Sequence, residues 1–133
     1  MKARMLLLAC AAIALACVTQ AAAESHGNWI GVWQAKVVNQ PGMTLTLADD
    51  TGELGGTIVF EVFNREENRL IAREPHTLVH PHLDGNVLSF QVKGCCGRSQ
   101  VLNMTVELTK DGKAQTRCSN CGSDAVTELE RAD

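Results

Sequence analysis

Apolar and polar residues alternate along much of the chain. In residues 57–63, Ile58, Phe60 and Val62 share one side and Glu61 falls on the other. Residues 87–93 set Leu88, Phe90 and Val92 against Ser89 and Gln91, and residues 102–108 set Leu102, Met104, Val106 and Leu108 against Asn103, Thr105 and Glu107. A period of two buries one face and wets the other, as in an antiparallel sheet, whereas apolar residues two apart fall on opposite sides of a helix. Turn formers punctuate the pattern at Pro41-Gly42, Asp49-Asp50-Thr51-Gly52, 64–68, Asp84-Gly85-Asn86, 94–99, 110–113 and 119–123. The intervals predict strands near 29–38, 42–48, 53–63, 69–73, 76–80, 87–93, 101–109, 113–118 and 125–131. In the last, Ser123 could cap a helix, but Val126 and Thr127 favour a strand. The fold class is therefore all-β: an antiparallel meander closed into a small eight- or nine-stranded barrel, which hides both sheet edges. A two-sheet β-sandwich is the other way to pack the same strands.

The first 23 residues stand apart from this pattern. Lys2 and Arg4 precede an unbroken apolar run over 5–18, and Ala21-Ala22-Ala23 follows. This order predicts a secretory signal peptide over 1–23 and a single exported domain over 24–133, secreted or periplasmic. The run is shorter than the ~20 residues that cross a bilayer, so no transmembrane segment is expected. Leu15-Ala16-Cys17 offers the alternative of a lipoprotein anchored through Cys17. Beyond the leader, 110 residues carry 10 basic and 15 acidic groups. That acid excess argues against nucleic acid as a partner, since a polyanion is drawn to a basic face.

The predicted first strand opens Gly27-Asn28-Trp29-Ile30-Gly31-Val32-Trp33, two overlapping copies of Gly-x-Trp, and the last carries Arg131. In these features the chain resembles the calycin barrels, of lipocalin and avidin type. Residues 54–60 and 82–90 are similar to segments of small exported lipocalin-like proteins of bacteria, whose function is unknown. The resemblance implies that an indole lies across the closed end of the barrel with an arginine stacked on it. Trp29 is expected in that role, ahead of Trp33, with Arg131 as its cover. Such a cation–π contact contributes ~0.5–2 kcal/mol.

Four cysteines follow the leader, Cys95 and Cys96 side by side and Cys118 and Cys121 in Cys-x-x-Cys. Export and the even number predict disulfides. The loops that follow residues 93 and 118 open on the same rim of a meander. Neighbouring cysteines join each other only by distorting the peptide between them, so one bond from each pair to the other is expected, in either of two pairings. A four-thiolate zinc site would use the same residues, although adjacent side chains leave an extended chain in opposite directions. A redox pair of thioredoxin type would need a helix start beside Cys118, within a βαβ pattern that is not found.

His76, His80 and His82 have the even spacing that points all three to one side of an extended chain. A metal or proton-transfer site is conceivable there, but Pro75 and Pro81 favour a polar outer face at an edge or bend. Cleavage after Ala23 would leave Glu24-Ser25-His26, where an amine, two amides and an imidazole suit Cu(II) or Ni(II), which makes His26 a candidate metal residue. No nucleophile elbow, phosphate-cradling loop or paired catalytic carboxylates are found, so neither an enzyme nor a cofactor is expected.

The function expected first is an exported barrel that binds a small apolar ligand. Its interior candidates are Leu45, Leu47, Ile58, Phe60, Val62, Leu88, Phe90, Val92, Met104 and Val106. An eight-stranded barrel is only just wide enough for side chains to fill, so the same residues can equally close it. The alternative is a structural or protein-interaction module with a filled core and a disulfide-stapled rim, for which no sequence feature names a partner.

Overall fold

A computed structural model describes residues 26–35, 42–97 and 99–132, with the Cys96 side chain left outside. The expected signal peptide and Cys17 lie outside the described residues. Among the described residues nine strands follow in chain order: β1 (Gly31–Gln34), β2 (Met43–Asp50), β3 (Glu53–Asn64), β4 (Arg69–Thr77), β5 (Val79–Asp84), β6 (Val87–Val92), β7 (Leu102–Leu108), β8 (Ala114–Cys118) and β9 (Thr127–Arg131). A 3-10 turn, Cys95–Gly97, follows β6, and no α-helix occurs among the described residues. The strands form one antiparallel sheet in the order β4-β3-β2-β1-β9-β8-β7-β6-β5, curled into a half-barrel. The fold is thus the all-β meander that the alternation predicts. Ser123 does not start a helix: its hydroxyl accepts the Ala125 N–H at 3.1 Å in a turn that leads into β9.

The two edges of this sheet are consecutive in sequence. β4 pairs with β3 and β5 with β6, and a single residue, Leu78, separates β4 from β5. Residues 69–84 are therefore one long strand, bent at Leu78, whose first half serves one edge and whose second half serves the other. Leu78 is buried, and its N–H donates to the Gly56 carbonyl at 3.0 Å, which ties the bend to the start of β3. The sequence pattern placed a break at Pro75 instead. β4 runs through that proline, opposite Val59, because an edge strand turns every second N–H away from its neighbour and loses nothing to a proline there.

The bend also decides where the histidines point. Cross-strand partners share a face of the sheet, and His76 lies opposite Ile58 while Glu74 lies opposite Phe60. Ile58 is fully buried, so the even positions of β4 face inward. In β5 the inward residue is Leu83, opposite the buried Leu88, so the odd positions face in. The change of parity occurs at a register shift between Val79 and His82, where His80 adopts a left-handed φ of 49°. An inserted residue of this kind turns every later side chain over. His76 consequently faces the interior while His80 and His82 are exposed, which corrects the expectation that all three share an outer face.

Inside the curl, Leu45, Leu47, Ile58, Leu88, Phe90, Val92, Met104 and Val106 are buried together with both tryptophans, Leu54 and Leu129. Phe60 and Val62, near the far end of β3, are only half-buried. Burying an aliphatic side chain of this size stabilises by ~1.5–3 kcal/mol, so this cluster is the main source of stability.

Candidate functional site

Trp33 lies buried where β1 meets β9. The register of β1 with β9 sets Trp33 opposite Arg131, and the guanidinium lies 4.5 Å from the centre of the Trp33 ring. From there Arg131 Nη1 donates to the Ile30 carbonyl at 2.8 Å and Nη2 to the Asn28 carbonyl. The Trp33 indole N–H donates in turn to the Trp29 carbonyl at 3.0 Å. Gly31, with φ of 131°, makes room: a Cβ there would lie 3.1 Å from Arg131 Nη1. The expectation that Trp29 would lie beneath the arginine is corrected. Trp29 sits in the turn ahead of β1, buried in the core, and only Trp33 stands in register with Arg131.

The opposite rim carries the cysteines. Cys118 is bonded to Cys121, with their Cα atoms 5.5 Å apart. This overturns the expected bonds between the two pairs. The Ser119-Asn120 turn folds the chain back on itself, bringing its two cysteines within bonding range. Asn120 holds the turn in place: its amide oxygen accepts the Asn103 N–H at 2.8 Å, and its Nδ2 donates to the Val101 carbonyl at 2.7 Å. Cys95 points elsewhere. It is fully buried, it is disulfide-bonded, and the 3-10 turn that carries it lies against β4.

At that contact three kinds of donor converge. A carboxylate oxygen of Glu74, a ring nitrogen of His76 and the Cys95 sulfur lie within 4.8 Å of one another. The Glu74 carboxylate is 3.7 Å from His76 Nε2, and Phe60 flanks the imidazole with ring centroids 5.8 Å apart and planes at 53°. His76 Nε2 is buried and makes no hydrogen bond among the described residues. An imidazole nitrogen shut away from water normally has a partner, so this atom marks the cluster out from ordinary core. Sequence reasoning missed the convergence. Its signal was the inward run Glu74-x-His76-x-Leu78, concealed because Pro75 was taken for a break.

The exposed histidines lie elsewhere. His80 and His82 line a groove of about 690 Å³ with His26, Glu53, Leu54, Pro81 and Leu83. These imidazoles do not come together closely enough to share an ion, since the triad of Glu74, His76 and Cys95 is the group of three that does so among the described residues. His26 Nδ1 lies 3.1 Å from Asp49 Oδ2, so the nitrogen that an amino-terminal copper site would use is held by a carboxylate. Glu24 and Ser25, which would complete that site, lie outside the described residues. No family model, curated protein or solved structure matches the chain.

Proposed function

We propose that the protein is an exported, calycin-like barrel with a filled interior: a structural or protein-interaction module, not an enzyme, that works through its rims. One observation carries this reading. Leu45, Ile58, Leu88 and Val92, drawn from β2, β3 and β6, have no accessible surface. A chamber able to hold a fatty chain or a flat ring would leave its lining open to a water-sized sphere, and these four side chains are closed to one. The Gly31, Trp33 and Arg131 arrangement supports the calycin-like reading, because it supplies the indole and covering arginine of that barrel type on adjacent strands.

Titration of the processed protein with a fatty acid, a retinoid and haem, followed by tryptophan fluorescence, tests the reading. Trp29 and Trp33 are both buried in the core, so a ligand entering it would change their emission. The expected outcome is no saturable change with any of the three. Saturable quenching near one equivalent would instead favour an apolar-ligand carrier with Phe60 and Val62 at its mouth.

A further inference from the structure

The geometry points to a redox-gated zinc site formed by Glu74, His76 and Cys95, closed to metal while Cys95 is held in its disulfide and opened when that bond is reduced. Three observations combine. The oxygen, nitrogen and sulfur donors already lie within 4.8 Å of one another. Ligand atoms on a tetrahedral zinc stand roughly 3.5 Å apart, given bonds of ~2.0–2.3 Å, so modest side-chain rotations would bring all three onto one ion. Second, His76 Nε2 is buried without a hydrogen-bond partner among the described residues, which leaves its lone pair for a metal whenever it carries no proton. Third, the donors arise from two separate elements, β4 and the 3-10 turn, so an ion would bridge the rim to the edge strand.

Charge fits as well. One thiolate, one carboxylate and a neutral imidazole balance the two positive charges of zinc. The mixed set suits a borderline-soft cation better than magnesium or calcium, which take oxygen ligands. The gate lies in the sulfur. A disulfide sulfur is a poor ligand and a thiolate a strong one. A dithiol reductant supplies two electrons and two protons, turning the Cys95 disulfide into two thiols while itself becoming a disulfide. Zinc then replaces the Cys95 thiol proton, which leaves to solvent as the zinc–sulfur bond forms.

The test uses the full processed chain carrying Cys118→Ser and Cys121→Ser, so that the Cys-x-x-Cys pair cannot take the metal. Co(II) serves as a coloured substitute for zinc, added to protein reduced with dithiothreitol and freed of it without air, and to the same protein left oxidised. The expected result is one equivalent bound by the reduced form only, with a sulfur-to-cobalt charge-transfer band and tetrahedral d–d bands that zinc abolishes. His76→Ala and Glu74→Gln should each lose the tetrahedral bands. His76→Phe, which keeps the packing against Phe60, should lose them too, so that a folded variant is available if His76→Ala collapses. Absence of the charge-transfer band from reduced protein, equal binding by oxidised protein, or bands undiminished in His76→Phe would each overturn the proposal.

Discussion

Gly56 shows how closely two backbones meet in this sheet. It lies opposite Leu47, and a Cβ built on it would stand 1.9 Å from the Thr46 carbonyl oxygen. That oxygen belongs to the backbone of β2 and cannot swing aside. Gly55, one residue earlier, has nothing within 4 Å of the same position. Gly56→Ala is therefore expected to lower unfolding stability by ~1–3 kcal/mol, as overpacking does, while Gly55→Ala is close to neutral. Urea denaturation of the two variants measures the contrast, and equal effects would mean that β2 and β3 stand further apart than described. His76 teaches a related lesson. Its identity suggested a surface residue, but its position opposite the buried Ile58 outweighs composition.

Among the elements, β1 and β9 depend most on a single side chain. Arg131 stacks on Trp33 and donates to two carbonyls of the segment that enters β1. Lysine would retain the charge but not the flat, forked group that does both at once. Arg131→Lys is expected to cost ~0.5–2 kcal/mol through the stacking alone, read as a lower midpoint in thermal denaturation followed by tryptophan emission. The strands themselves were largely legible from alternation, because one-sided burial writes period two into β3, β6 and β7. What remained hidden was parity across 75–82. Alternation extrapolates only until a residue is inserted, and the inserted residue here is His80, whose left-handed backbone no glycine announces. The tryptophan beneath Arg131 was likewise ambiguous, since two copies of Gly-x-Trp overlap and only the β1–β9 register chooses between them. The cysteine pairing escaped because it depends on the local path of the 119–120 turn, while sequence logic judged only which loops share a rim.

For the whole molecule, the Cys118–Cys121 bond changes the stability account. The loop that it closes spans a sequence separation of three. Cross-linking so short a loop removes little freedom from the unfolded chain, about 2 kcal/mol or less, whereas a bond between the two loops would have restrained far more. The half-barrel thus relies on its buried apolar core and on the way that its strands join. Every strand except one seam pairs with a neighbour close in the chain or continues through Leu78. The exception is β1 with β9, where, among the described residues, the register joins Trp33 to Arg131 and Gln34 to Glu130, and where Arg131 reaches back 101 positions to Ile30. Bringing such distant segments together is slow, because the chain between them must first be ordered. The two meanders on either side can form from local hairpins, and this seam joins them last. A contact that depends on bringing the two ends of the meander together is also expected to open first. Native-state hydrogen exchange should therefore release the amide of Ala132, which donates to the Val32 carbonyl across the seam, together with those of β9, before the amides of β6 and β7. Earlier release from β6 and β7 would place the weak point elsewhere. Trp33 thus stands at the joint between the first strand and the last, and Arg131 acts as the catch on a joint that the rest of the chain must wait to make.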